Sequence, residues 1–578
     1  MLNLGICRNT LILLGNLFVT HFPPVQDSEN DPRAELWVRR LTIGFCLIAI
    51  VLGGAEAWTS RFSMNPDGVQ YLDNASAYSA GDFHSALNSQ WSPLYPWIIA
   101  AWFAAFQGSP YLEFPLVHLL NFFIYLLSVA GFLFFLKGIL DRVPVKPPAI
   151  KVSLVLIAYS SFLYCSLDFT NLAYVTPDLL VSFFAFLAAG LLLRIEAANA
   201  SALVYIALGA VLGLGYLAKT PFLLFGLLCL GMAAALGRKR HRGHLVRWCP
   251  AAAAFAIIAV PYIWILSNAK GRFTAGDSGR SNIIWKVNGV PYYNWQEGPS
   301  DNGVPIHPTR RLSSNPAIFE FATPIAGTYP PWYDPIYWSE GSKIVFRPAD
   351  FARALFEQIR LYAFLVHHRQ LPLIFVLAAL FLLSQDRGRI FAGVLQFWPV
   401  LLLGAAPFAM YAVVHAEGRY LAPFFVLLWT TLMAGLLVGI NGSVDPRALL
   451  SIVAVAAALM FVEAVTASLP EIPAPRHYEV AQRLQSLGLK RGDPVAIVTG
   501  DLDYLWARLA RARIAMQVNF GDSSCPNCRR NPAEWEKAKQ ILAANGAVLV
   551  VAPCIPGVVD QPGWQQLGAT GVYAYRLP

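Results

Sequence analysis

Long apolar runs constrain this chain of 578 residues more than any other feature. About eleven such runs recur, and a helix needs roughly 17–25 apolar residues to cross a bilayer. Hydrophobic residues make up 56% of the chain and charged residues only 13%, about half of the roughly 25% typical of soluble domains. A disordered or small disulfide-rich protein is therefore excluded, and the pattern predicts a mainly α, polytopic membrane protein. The predicted spans are 41–58, 112–136, 152–168, 175–194, 202–217, 220–236, 248–266, 371–384, 391–414, 419–440 and 447–468.

Basic residues between these runs predict the orientation. The apolar stretch 93–106 is short for a span, and we interpret it as an interfacial or re-entrant helix. The basic clusters then share one side, which the positive-inside rule makes the cytoplasm of the cell inner membrane. Because they serve as orientation signals, the net charge of +9 gives no reason to expect a nucleic-acid partner. The clusters are Arg39 and Arg40; Lys137, Arg142, Lys146 and Lys151; Arg238, Lys239, Arg240 and Arg242; and Arg387 and Arg389.

This topology predicts three parts of the chain. Residues 1–40 form a cytoplasmic segment, residues 41–468 a transmembrane domain, and residues 469–578 a small α/β domain on the outer (periplasmic or extracellular) face, where helical and strand patterns alternate. The outer face also holds a first loop, residues 59–92, and a second loop, residues 267–370. Aromatic residues of the second loop, such as Trp332 and Tyr333, can stack on a sugar or form an interfacial belt.

The cysteines and acidic pairs of the tail leave several readings open. Cys525 and Cys528 are disulfide candidates, with a redox pair as the second interpretation and zinc binding with Cys554 as the third. Asp501 and Asp503 have a spacing that some metal sites use, but acidic residues are also favoured at a helix start. We predict no metal-ligating residue and no certain cofactor, although a divalent metal remains possible.

The first loop contains the most informative motif. Asn65 suits a helix N-cap, Pro66 the first helical position and Gly81 the C′ position. Asp67 then lies in the first turn, where the helix dipole favours an ionised carboxylate. At helical spacing Asp67 shares one face with Tyr71, Asn74 and Tyr78, and Trp91 follows in the same loop. Such a face suits a polyhydroxylated substrate, whereas the alternative is that Asp67 only stabilises the helix.

These motifs, in this order, resemble the GT-C glycosyltransferases over roughly residues 41–440. The nearest families are glycosyltransferase family 39, the protein mannosyltransferases and the aminoarabinose transferases that modify lipid A. An acid after the first span, a Gly-Asp pair and a Pro-Leu-Tyr run carry the resemblance. Three later stretches are also similar to recurrent patterns of the family. The residues of all these motifs are Asp67; Gly81 and Asp82; Pro93, Leu94 and Tyr95; Thr176, Pro177 and Asp178; Leu217, Lys219 and Pro221; and Glu417, Arg419 and Pro423.

The resemblance implies transfer of a hexosyl or pentosyl group from a polyprenyl-phosphate donor to a glycan, lipid or protein acceptor. It implies that Asp67 is the base of a single inverting displacement. Lys219 and Arg419, at span ends predicted on the same side, are candidates to bind the donor phosphate. Asp178 is a candidate substrate-binding residue, although its place at a helix start favours a structural role. Membrane lipids are the remaining expected partner.

Two departures from the family pattern bear on this interpretation. Many relatives have Glu after the acid, whereas this chain has Gly68, and many have a Lys before the Pro-Leu run, whereas this chain has Gln90, Trp91 and Ser92. A transporter or flippase of a lipid-linked sugar is the rival from another class, although transporters tend to show internal repeats and mid-span charges. A non-catalytic scaffold that binds the lipid carrier is a third possibility.

Overall fold

The structure is a computed structural model of the full chain. It describes residues 32–106, 108–143, 148–197, 200–240, 244–291, 300–321, 324–384, 386–440, 443–469, 476–498, 504–519, 532–553 and 563–578. The predicted disulfide pair Cys525 and Cys528, together with Cys554, Asp501 and Asp503, lies outside the described residues.

Helices dominate the first half of the chain. Their bounds are α1 Pro32–Thr59, α2 Pro66–Ser79, α3 Phe83–Ala86, α4 Leu94–Ala105, α5 Glu113–Leu140, α6 Pro148–Tyr164, α7 Asp178–Glu196, α8 Ala202–Ala218, α9 Phe222–Arg240 and α10 His244–Lys270. A π-helical turn, Cys165–Thr170, continues α6. Such turns often occur at functional sites, and this one carries Asp168.

The remaining helices lie in the second loop, in the later spans and in the tail. They are α11 Ser278–Asn282, α12 Pro330–Tyr333, α13 Pro335–Trp338, α14 Pro348–Arg369, α15 Leu371–Leu383, α16 Arg387–Leu395, α17 Trp398–Ala412, α18 Gly418–Ile440, α19 Pro446–Ser468, α20 Arg476–Ser486, α21 Leu505–Ala510 and α22 Pro532–Ala544. The strands are β1 Arg310–Ser314, β2 Ala317–Glu320, β3 Pro494–Val498, β4 Arg513–Asn519, β5 Leu549–Ala552, β6 Trp564–Gln566 and β7 Tyr573–Arg576.

Each predicted span coincides with a helix or with a bent helix pair. Among the described residues, seven helices are long and apolar enough to cross a membrane, or nine if each bent pair counts as one span. The pairs are α14 with α15, bent by 76°, and α16 with α17, bent by 77°. The predicted spans 202–217 and 220–236 correspond to the shorter apolar helices α8 and α9. The prediction of a mainly α, polytopic membrane protein is confirmed.

A seven-stranded sheet forms the small α/β part of the molecule, in the order β1-β2-β4-β3-β5-β7-β6. The central strands β4, β3 and β5 are parallel, as the helix–strand alternation of the tail predicts. The sheet also includes β1 and β2 of the second loop, since β2 pairs antiparallel with β4. The sequence did not indicate these two strands.

The first loop, the second loop and the tail pack against one another. In the tail, Tyr504 accepts a hydrogen bond from Gln70 of the first loop, and Arg508 contacts Asp73 of that loop. Arg508 also contacts Glu113, where α5 begins. The short apolar helix α4, of 12 residues, lies between α2 and α5 in the chain. That this helix does not cross the membrane stays a prediction.

Candidate active site

Helix α2 begins as its sequence predicts, but its N-cap side chain has another partner. Asn65 has the extended backbone of an N-cap, Pro66 follows it, and Gly81 has φ +73° after the helix. The Asn65 side chain makes no capping hydrogen bond; its Oδ1 accepts from the backbone N–H of Val175 at 2.8 Å. Asn65 therefore ties the start of α2, and with it Asp67, to the segment that leads into α7.

Charged side chains from distant parts of the chain converge on Asp67. Arg419 donates to Asp67 at 3.1 Å and lies 3.7 Å from Asp178. Lys219 forms an ion pair with Asp178, whose side chain is 2% exposed. Glu417 accepts from the Nε of Arg419 at 2.6 Å. Asp67 and the two cationic residues Lys219 and Arg419, which the sequence analysis singled out, thus belong to one network.

Helix ends explain why these charges meet here. Asp67, Asp178 and Arg419 lie in the first turns of α2, α7 and α18, while Lys219 follows the last residue of α8. Helix N-termini favour negative charge and C-termini favour positive charge. Three N-termini at one place therefore stabilise the carboxylates, and they favour an anionic ligand for the same reason.

Glu417 is ionised in this environment. Burial alone would raise the pKa of its carboxyl, but hydrogen bonds and charge from His415 and Arg419 lower that pKa far below its usual range. Glu417 is thus the third acidic side chain, with Asp67 and Asp178, that contacts Arg419.

A cavity of about 420 Å³ opens beside the network. This volume lies within the range of roughly 300–1,000 Å³ that small-molecule sites have. One part of its wall is charged and includes Asp67, Glu417 and Arg419. The other part is apolar or aromatic and consists of Phe169, Tyr174, Phe364 and Leu365. Such a wall suits a ligand with a charged head and a hydrocarbon tail.

A second ion pair lines the same cavity. Arg369, the last residue of α14, is 3.2 Å from Asp168 of the π-helical turn, and both residues line the cavity. The Arg369 side chain is 40% exposed, compared with 13% for Arg419. An entering anion therefore reaches the Arg369 guanidinium more easily than it reaches Arg419.

The predicted site residues divide into three groups. Asp67 and Arg419 line the cavity, whereas Lys219 and Asp178 lie behind it in the same charge network. Tyr71, Asn74, Tyr78 and Trp91 do not line the cavity. Tyr71 packs edge-on against Trp91 and Tyr95, and Tyr78 packs on Trp97. Asn74 donates to the backbone of Gln70, and the Trp91 indole donates to the carbonyl of Tyr333. The face that α2 shares with Asp67 is therefore directed into the protein.

Sequence reasoning did not assign four residues that lie at the site. The indole of Trp332 donates to Asp67 at 3.3 Å, and Glu417 holds Arg419. Asp168 and Arg369 form an ion pair that lines the same cavity. Glu417 belongs to the motif that also contains Arg419, and Trp332 belongs to the aromatic residues of the second loop, so the sequence contained some indication of both. The pairing of Asp168 with Arg369 had none, because it depends on the bend after α14.

The two departures from the family pattern have local explanations. A Cβ on Gly68 would lie 2.8 Å from the Cβ of Val175, so a larger residue does not fit. The Gln90 side chain accepts from Ser281, and the Ser92 hydroxyl is 3.2 Å from that of Thr220. The segment that carries a Lys in many relatives is thus used for contacts with the second loop and with the end of α8.

The described residues contain no group of three or more His, Cys, Asp or Glu side chains placed to hold a metal ion. The site carboxylates Asp67, Asp178 and Glu417 instead surround Arg419.

Two solved structures share the architecture of the whole chain. The aminoarabinose transferase ArnT from Cupriavidus metallidurans in the apo state superposes with a TM-score of 0.51 at 14% identity, over 88% of this chain and 92% of ArnT. ArnT bound to undecaprenyl phosphate gives 0.50 at 13% identity, over 92% and 97% of the two chains. The chain has the GT-C fold. The fold that the resemblance implied is therefore confirmed.

Other comparisons add little to this result. The oligosaccharyltransferase AglB from Archaeoglobus fulgidus, in complex with an inhibitory peptide and a dolichol-phosphate, gives a TM-score of 0.46 at 13% identity, over 90% of this chain and 70% of AglB. No protein-family model and no curated protein matches the chain by sequence.

Proposed function

We propose that this GT-C chain is a glycosyltransferase that moves a sugar from a polyprenyl-phosphate donor to an acceptor hydroxyl at the outer face of the cytoplasmic membrane. The observation that carries the proposal is the position of Asp67. Its carboxylate lies at a helix N-terminus, on the wall of an amphipathic cavity and 3.1 Å from Arg419. The similarity to ArnT bound to undecaprenyl phosphate supports a lipid phosphate as the carrier.

Asp67 acts as the general base. An acceptor hydroxyl in the cavity donates its hydrogen bond to Asp67 and attacks the anomeric carbon. The bond from that carbon to the phosphate oxygen breaks on the opposite face, so the configuration inverts. The acceptor proton passes to Asp67, and the electron pair of the broken bond stays on the polyprenyl phosphate. A positioned carboxylate typically contributes about 10²–10⁴-fold to such a step.

Two cations that line the cavity stabilise the leaving phosphate. Arg419 belongs to the charge network, and Arg369 to the ion pair with Asp168. Arg369 supplies the positive charge that the Gln90–Ser92 segment lacks. Lys219 contributes from behind, because its ammonium balances Asp178 and leaves more of the Arg419 charge for the phosphate. Preorganised cations of this kind are a large part of catalysis in sites that exclude water.

Arg419 connects the base to the leaving group. Its guanidinium donates to Asp67 at 3.1 Å and lines the cavity. A donor phosphate that binds Arg419 competes with Asp67 for the guanidinium, and this frees the Asp67 carboxylate to accept from the acceptor hydroxyl.

Replacement of Asp67 by Asn tests the proposal. We expect transfer to fall by about 10²-fold or more, because the amide cannot take up the proton. The measurement uses purified protein, a labelled polyprenyl-phosphate sugar and candidate glycan, lipid and peptide acceptors. Asp82→Asn is the matched control, since this carboxylate of the same loop caps Ser85 and does not line the cavity.

The same assay separates the rival functions. Bilayer crossing of the unchanged donor would indicate a transporter, and binding without transfer would indicate a scaffold. Full transfer by the Asp67→Asn variant would refute the role of the base. Sided labelling of a cysteine introduced into the first loop, which has none of its own, tests the outer location, since labelling only from the cytoplasm would reverse the orientation.

A further inference from the structure

A buried arginine of the tail holds the helix that carries Asp67. Arg508 in α21 is only 4% exposed. Its guanidinium donates to Asp73 at 2.7 Å and to Ser76 at 2.9 Å, and both acceptors lie on α2. The same guanidinium binds Glu113 with two bonds, at 2.8 and 3.1 Å. Arg508 therefore joins the tail, α2 and the start of α5 at one point.

The surrounding charges make this contact strong. Arg511 also binds Glu113, so two guanidinium groups face the two carboxylates of Asp73 and Glu113. The remaining Asp73 oxygen accepts from the backbone N–H of Thr328 at 2.7 Å. Burial alone would lower the pKa of Arg508, but Glu113 and Asp73 raise it above its ordinary value. The group stays charged, and a fully hydrogen-bonded buried ion pair depends strictly on its geometry.

Helix α2 transmits this constraint to the cavity. Asp73 lies six residues after Asp67, which corresponds to about 9 Å along a helix. Gln70, between the two, donates to the Tyr504 hydroxyl of the tail at 3.0 Å. At the other end, Asn65 and Asp67 contact Val175, Trp332 and Arg419 instead. The tail therefore holds α2 through Gln70, Asp73 and Ser76, in the middle and the C-terminal part of the helix.

We propose that Arg508 is a positioning residue, which sets the place of Asp67 relative to Arg419 by clamping α2 to the tail. The consequence for catalysis rests on the proposed function, whereas the clamping itself does not. The tail then contributes to the site without touching the cavity. If the tail loses its contact with α2, Asp67 moves away from the phosphate-binding cations.

Hydrogen exchange on the full-length protein in detergent tests the clamp. We expect Arg508→Gln and Asp73→Asn each to speed exchange of the amides in α2 by about 10-fold or more, because local opening becomes easier. Exchange in α18 and in β3 should stay within about twofold of the wild type. Arg576→Gln is the matched control, since this arginine of the tail donates to the Leu487 carbonyl within the tail. It should leave exchange in α2 unchanged.

Two outcomes overturn the proposal. Unchanged exchange of α2 in Asp73→Asn would show that the contact does not hold the helix. Equally faster exchange in α2, α18 and β3 would show a general loss of stability. If the wild type transfers sugar, Asp73→Asn should lower kcat by about 10-fold with little change in KM for the donor. A wild type without transferase activity would refute the proposed function and leave the exchange result standing.

Discussion

Gly68, the residue after the candidate base, has no room for a side chain. A methyl group there would press on Met64 and on the Cβ of Val175, at 2.8 Å. Met64 is flexible, but Val175 is fixed by the hydrogen bond from its backbone to Asn65. The close approach of Gly68 and Val175 thus brings the start of α2 against the segment before Asp178.

We therefore predict that Gly68→Ala destabilises the protein, although Ala is the better helix former by about 1 kcal/mol. Overpacking of this kind costs roughly 1–3 kcal/mol, so the net loss should be about 1 kcal/mol, from the middle of that range. Thermal unfolding in detergent measures it. Gly44→Ala in α1 is the control, because a Cβ there meets nothing within 4 Å. A Gly68→Ala variant as stable as the wild type would contradict the close approach.

At this scale the sequence predicted the residue types better than their contacts. Asp67, Asp178, Lys219 and Arg419 were each expected near helix ends on one side, and the ion pairs of the two cations with the two acids bring them together. The clash at Gly68 was not predictable, because Val175 is distant along the chain. Tyr71 shares helical spacing with Asp67, but spacing alone does not reveal which face of a helix is covered by a neighbour.

Helix α14 brings a cation to the cavity through its position and its end. It starts at Pro348 and ends at Arg369, where the chain bends by 76° into α15. Large apolar side chains such as Phe356, Ile359 and Phe364 are exposed on it. These residues suit a helix that lies at the membrane surface. Arg369 at its end then meets a lipid phosphate at the depth of the headgroups.

From this arrangement we predict that Arg369→Gln weakens binding of undecaprenyl phosphate by about 5- to 20-fold. Loss of one charge-assisted contact is worth roughly 1.5–3 kcal/mol, and the higher exposure of Arg369 lowers that value. A binding assay with purified protein and the lipid phosphate alone gives the measurement. Arg360→Gln on the same helix is the control, because Arg360 does not line the cavity. Equal affinities of the wild type and Arg369→Gln would remove Arg369 from the phosphate site.

For the whole molecule, the seven-stranded sheet is the feature that the sequence did not predict in full. The tail strands β3, β4 and β5 follow from alternating helix and strand patterns. Strands β1 and β2 are short, and β2 pairs with β4 almost 200 residues later in the chain. Such pairing depends on how two distant segments meet, which a local pattern does not contain. The second loop and the tail consequently share one sheet, although transmembrane helices lie between them in the sequence.

This shared sheet predicts that the protein can be divided between α19 and α20 without loss of assembly. A fragment of residues 1–469, co-expressed with a tagged fragment of residues 476–578, should be recovered with it in detergent. The contacts of β2 with β4 and of Arg508 with Asp73 and Glu113 should hold the two together. Ile318→Pro in the larger fragment removes a ladder donor from buried β2 and should reduce recovery at least severalfold. Ser313→Pro is the matched control, because it lies on the edge strand β1, away from β4. Equal recovery of the wild-type and Ile318→Pro fragments would mean that the sheet does not join the second loop to the tail.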